Sequence, residues 1–386
     1  MLQCSKWRSS VKLEDISSTI ERALASAGLV TTARPIAGAT QTIRNALDAA
    51  GILQRRSTPD DGDIAVVDLD APWFRHAPEV GAPSDAAPVA EVGRFVDRSF
   101  SNGTAHRDYK LYIPSTYAGK PMPLIVMLHG CKQNPGDFAR GTRMNTLAEE
   151  HGFLVAYPAQ TVRANGSNCW NWFSASEQHR EGEEPSLIAG IARHVGESCK
   201  VDETQVFIGG LSAGAAMAVI AASSYPEVFK AVGVHSGLPI GAAHDVPSAF
   251  AAMQGRSSAG DVKARPGRNK ERRAGVQARP VRTIVFHGDG DATVALKNGE
   301  EVASQAVRAF NAERGQMLQQ VVEQCSAGGR DCTVTHYLDP RGQALVETWT
   351  VHGGSHAWSG GSSKGSYTDA KGPDASAEFV RFFLRR

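Results

Sequence analysis

The chain has 386 residues, 41% of them hydrophobic and 21% charged, which excludes a mostly disordered chain and fits a globular protein with a large core. Lys and Arg number 41 against 40 Asp and Glu, so net charge gives no basis for broad polyanion binding, and no nucleic-acid partner is expected. No apolar run approaches the ~20 residues of a membrane-spanning helix.

Residues 1–56 read as a helical leader. Ile16, Ile20 and Leu24 recur every four residues, Ile43 and Leu47 repeat the spacing, and TIERALASAG at 19–28 echoes TIRNALDAAG at 42–51. Such stripes suit either packing on the main domain or settling on an apolar surface or a partner. The first residues hold no continuous apolar stretch of the kind a secretory signal needs, so a cytoplasmic protein is expected, or a secreted one if the start is misassigned. Residues 57–92 are rich in Pro, Ala and Gly and read as a linker. A folded domain is expected over 93–386.

Within it, strand and helix patterns alternate. Strands are predicted at Tyr109–Ile113, Pro123–Leu128, Phe153–Tyr157, Gln205–Ile208, Ala231–Val234, Thr283–Phe286 and Val346–Val351, with helices such as Arg143–His151 and Ser186–Val195 between them. This order predicts an α/β fold, a mostly parallel sheet covered on both faces. Residues 255–282 interrupt it with nine Lys or Arg against two acids and read as a solvated basic insertion.

The strongest chemical signal is Gly210-Leu211-Ser212-Ala213-Gly214, a G-x-S-x-G motif between a strand and a helix. A serine at that turn is a nucleophile in need of a base, and the base needs an orienting carboxylate. Asp289 and Asp291 follow the TIVF strand; Asp291, further out on the loop, is the better acid, and Asp289 is expected to shape the turn. Of the three histidines beyond, His336, His352 and His356, the last lies in a glycine-rich loop after the final strand and is the expected base. The N–H groups of Ala213 and of Cys131, in the loop after LIVMLHG, are the expected oxyanion donors; a thiol nucleophile at Cys131 is the rival reading of that residue. Cys169-Trp170-Asn171-Trp172-Phe173 is the densest aromatic cluster: Trp170 and Trp172 line either the core or a substrate wall, to which Trp358 would add. The six cysteines contain no CxxC pair, so no metal site is expected; Cys325 and Cys332, flanking Gly-Gly, are close enough in sequence for a loop disulfide or two free thiols.

Taken together, MLHGCKQNPGDFARGTRMNTLAEEHGFLVAYPAQ, CWNWF, VFIGGLSAGAAMAVIAASSYPEVFKAVGVHSGLP, VFHGDGDATV and GGSHAWSGG resemble the poly(3-hydroxybutyrate) depolymerase family of esterases over residues 93–386. The resemblance implies an α/β-hydrolase fold, Ser212, Asp291 and His356 as the triad, Cys131 and Ala213 as oxyanion donors, and a Cys131–Cys169 disulfide. It implies no metal or organic cofactor. The expected function is hydrolysis of poly(3-hydroxybutyrate) or its oligomers through an acyl-enzyme. An association with the polyhydroxyalkanoate granule surface is expected with it. The alternatives are a carbohydrate esterase acting on acetyl or feruloyl groups, and a non-catalytic granule- or surface-binding protein on a dead hydrolase fold. Where the family shows RGxGEP, this chain has Arg180-Glu181-Gly182-Glu183-Glu184-Pro185, which places two acids beside the expected pocket.

Overall fold

The computed structural model describes residues 93–256 and 280–385. The leader, the linker and most of the basic insertion lie outside the described residues.

The described strands are β1 Arg94–Ser101, β2 His106–Ile113, β3 Met122–Leu128, β4 Leu154–Pro158, β5 Val201–Leu211, β6 Ala231–His235, β7 Arg282–Gly288, β8 Gln319–Ala327, β9 Arg330–Leu338 and β10 Ala344–Val351. They form one sheet in the order β1-β2-β4-β3-β5-β6-β7-β10-β9-β8. The six strands from β4 to β10 in that order are parallel, and β1, β2, β8 and β9 add antiparallel edges. The helices are α1 Pro135–Thr142, α2 Met144–His151, α3 Glu183–Ser198, α4 Ala213–Ser224, α5 Val246–Met253, α6 Leu296–Arg314 and α7 Ala375–Leu384. Among the described residues, no helix is long and apolar enough to cross a membrane.

The continuous apolar runs follow from burial on both faces of the sheet. In β3, Leu124, Val126 and Leu128 enter one core with α3, α4, α5 and α6, while Ile125 and Met127 enter the other with α1, α2 and α7. The period of two along a strand divides the side chains this way. At ~25 cal/mol per Å² of buried apolar area, these two layers are the dominant stabilising term. Helix α4 is apolar on nearly every face because it is buried almost all round, from Ala213 to Ala222.

All seven expected strands are present, several longer than their apolar cores suggest. Strands β1, β8 and β9 were not predicted: most residues of β1 and β8 are exposed and their polar character hides them, and β9 is only partly buried. The pair β8–β9 is a hairpin turning at Gly328 and Gly329, both with positive φ, and Cys325 faces Cys332 across it. That pair is a disulfide.

Candidate active site

Ser212 stands between the end of β5 and the start of α4 with φ 57° and ψ −119°, a region that non-glycine residues rarely occupy. Its N–H donates to His235 O at 2.9 Å, which holds the turn against β6. Close approach of α4 to β3 explains the glycine two residues on. A Cβ on Gly214 would lie 2.3 Å from Leu128 O and 2.5 Å from His129 O. The backbone is strained at the serine and stripped of side chain beside it, so the hydroxyl is presented at the helix N-terminus, at the carboxyl ends of the parallel strands.

Two acids on the loop after β7 and two histidines on the loop after β10 meet as two separate pairs. His356 Nδ1 lies 2.7 Å from Asp291 Oδ2, and its Nε2 lies 2.9 Å from Ser212 Oγ. His352 Nδ1 lies 2.8 Å from Asp289 Oδ2, and its Nε2 lies 2.9 Å from Thr333 Oγ1. Burial separates them. The side chains of Asp291 and His356 are 0% and 13% exposed, those of Asp289 and His352 37% and 41%. The two loops touch through backbone alone: a Cβ on Gly288 would meet Gly354 O at 2.1 Å. The outer pair, with Gly353 N–H donating to Asp289 Oδ1 at 2.6 Å, ties the loops together next to the inner pair.

Burial pushes the Asp291 carboxyl up, but hydrogen bonds from His356 and the Val294 N–H, with the neighbouring imidazoles, prevail and leave it below the usual carboxylate range. Its Oδ1 accepts the N–H groups of Thr293 and Val294, each at 2.8 Å. An ionised Asp291 accepts a hydrogen bond from Nδ1–H, so His356 offers a lone pair at Nε2 toward the serine. Two further buried histidines frame the site. Burial lowers His235 to about 3 and His129 to about 4, so both are neutral acceptors near neutral pH. His235 Nε2 accepts Ser359 N–H at 3.0 Å, and His129 Nε2 accepts Gln160 N–H at 3.1 Å.

On the other side of the serine, Ala213 is the first residue of α4, and its N–H falls outside the helical ladder. Cys131 follows Gly130, whose N–H donates to Gln133 Oε1 at 2.9 Å. Its sulfur is bonded to Cys169, so no free thiol stands there. The tryptophans left open between core and substrate wall are all buried. Trp170 is fully buried, its Nε1–H donating to His129 O at 3.1 Å. Trp172 is buried in the same core. Trp358 lies in the opposite core, stacked on His235 at 4.9 Å and donating to Ser376 Oγ. Neither Trp170 nor Trp358 leaves a face to solvent, because rings of that size fill space between sheet and loops. Glu183 lies 3.6 Å from buried Arg107, and Glu181 sits on the surface beside His179. The buried residues His129, Gln160, Glu184 and His235 had no assigned role in the sequence; all lie inside or beside the quoted motifs, and only their burial distinguishes them.

Over 239 residues the chain is 30% identical to poly(3-hydroxyalkanoate) depolymerase C of Paucimonas lemoignei, covering 61% of this chain and 54% of that one. It is 27% identical over 241 residues to a probable acetylxylan esterase A of Aspergillus fumigatus, covering 59% of this chain and 64% of the relative. It therefore spans about half the length of the depolymerases it matches. Among solved structures, the acetyl xylan esterase from Aspergillus awamori superposes with a TM-score of 0.52 at 18% identity, over 75% of this chain and 98% of that one, which establishes the α/β-hydrolase fold. Residues 107–315, more than half of the chain, match the family described as esterase PHB depolymerase, and to that family of ester hydrolases the chain belongs.

Proposed function

We propose that the protein is a serine hydrolase of poly(3-hydroxybutyrate) or its oligomers. The observation that carries the reading is the unbroken relay from Asp291 through His356 to Ser212, set on the strained turn beside two candidate oxyanion donors.

Ser212 Oγ attacks the ester carbonyl as its proton passes to His356 Nε2. Asp291 fixes the tautomer and stabilises the imidazolium. The tetrahedral oxyanion accepts the N–H groups of Ala213 and Cys131, and the positive end of α4 adds to the field there. Collapse breaks the ester C–O bond, and the leaving alkoxide takes the proton from His356. Water, activated by the same imidazole, then cleaves the acyl-enzyme and regenerates the serine.

The depolymerase relatives support a polyester substrate, and the acetylxylan esterase relatives support the second reading, removal of acetyl groups from carbohydrate. Contact with a granule surface rests on the apolar stripes of residues 1–56. The disulfides Cys131–Cys169 and Cys325–Cys332 favour an oxidising compartment over the cytoplasm expected from the N-terminal residues. Product analysis on amorphous poly(3-hydroxybutyrate) beside acetylated xylan tests the reading. Release of 3-hydroxybutyrate or its short oligomers is expected; release of acetate from xylan with an untouched polyester would overturn it.

A further inference from the structure

One buried charge takes no part in the relay. Glu184, in the first turn of α3, is 2% exposed. Its carboxylate accepts the N–H of Asn171 at 2.7 Å, the Nδ2–H of Asn171 at 2.7 Å, and the Nε2–H of Gln160. The orientations of both amides are set by other partners. Gln160 Oε1 accepts Arg107 Nη1 at 2.6 Å and Thr161 N–H at 3.0 Å, so its NH₂ must face Glu184 and Cys169 O. Asn171 Oδ1 accepts Asn165 Nδ2 at 3.0 Å, so its NH₂ also faces the carboxylate. Three donors thus converge on a group that can only accept when ionised. Nearby charged or titratable groups are Arg107, His129, Glu177, which accepts the Glu184 N–H, and Glu183.

Both segments held by Glu184 grip the loop that carries one oxyanion donor. Gln160 N–H donates to His129 Nε2, Cys169 is bonded to Cys131, and Trp170 Nε1–H donates to His129 O. Lys132 N–H donates to Ser167 O at 2.7 Å on the same segment. Burial raises Glu184 to about 7, against the pull of its hydrogen bonds. A carboxylate buried at that expense is retained where a neutral side chain cannot satisfy the same donors.

We infer that Glu184 is a positioning residue for ester hydrolysis: through Gln160 and the Asn171–Cys169 segment it holds the His129–Cys131 loop so that the Cys131 N–H stays aimed at the oxyanion. The inference rests on the proposed serine-esterase reading. Replacement by Gln keeps the shape and turns an N–H toward the converging donors. The loop then shifts, and the oxyanion interaction weakens more than ground-state binding does.

The test uses the full chain, p-nitrophenyl butyrate and an alkyl boronic acid, whose tetrahedral adduct on Ser212 occupies the oxyanion site. Glu184→Gln is expected to lower kcat by roughly 30- to 100-fold, within the range for loss of one oxyanion donor. KM should stay within about 3-fold, and boronate inhibition should weaken in parallel with kcat. Glu184→Asp, which keeps the acceptor, should recover part of the loss. Wild-type kcat and boronate affinity in Glu184→Gln would overturn the inference. So would a fall in activity with boronate affinity unchanged. If Glu184→Gln does not fold, Asn171→Ala carries the same expectation and the same refutation. Failure of the underlying reading appears separately, as full activity in Ser212→Ala.

Discussion

Asp289 and Asp291 are two residues apart, both follow the same strand, and both end on a histidine of the same partner loop. The sequence offered this as a choice between competing acids and bases, whereas the fold uses both pairs, one buried against the serine and one at the surface across the loops. Only the depth of each pair separates their roles, and depth is not written in a loop sequence. Asp291→Asn should lower kcat by about 10⁴-fold, because the amide stabilises the wrong imidazole tautomer. Asp289→Asn leaves that tautomer alone and should cost less than about 10-fold in ester hydrolysis. Steady-state rates on p-nitrophenyl butyrate check both; a larger loss at Asp289 would reverse the assignment. Trp170, Trp172 and Trp358 were ambiguous for a related reason. Aromatic density marks a place where large apolar surface gathers, but core and pocket both gather it. Trp170→Ala should lower stability by roughly 3–5 kcal/mol and impair polymer and short-ester hydrolysis alike. Selective loss on the polymer would restore the substrate-wall reading for that ring.

At the scale of elements, the strands buried on both faces were readable as unbroken apolar runs, PLIVML and FLVAY above all. The edge strands were not. The mostly exposed β1 and the mostly polar β8 resemble loop composition, although each pairs with the very next strand across a short turn. The turn carrying Ser212 was legible because chemistry and packing constrain the same five residues. Gly214 shows the packing half of that constraint, with Leu128 O occupying the space a methyl group would need. Gly214→Ala should therefore push α4 off β3, giving a protein with a melting temperature lower by several degrees and at least about 100-fold less active, since a shift of ~1 Å is enough for that loss. Near-normal activity with unchanged melting would mean that α4 yields at no cost.

For the whole molecule, buried neutral histidines set the response to acid. His235, His129 and His287 are all lowered by burial. In the unfolded chain they titrate near 6.5, so below that pH the unfolded state binds more protons than the folded one, and stability falls as pH drops toward the folded values. Glu184 runs the opposite way. Its raised folded value means that the native state takes up a proton first, which adds stability as pH falls through about 7. Three histidines outweigh one carboxyl, so the melting temperature by calorimetry should fall by several degrees between pH 7 and pH 5. A flat or rising profile would show that these imidazoles are charged in the fold.

The relay itself is tested most directly by covalent capture. An alkyl fluorophosphonate should add once per chain, and mass spectrometry of the digested protein should place the adduct on Ser212, with ester hydrolysis lost in step. In His356→Ala the labelling rate should drop by at least about 10³-fold, because the serine has lost its base. An adduct on any other residue, or hydrolysis that persists with Ser212 fully modified, would contradict the assignment.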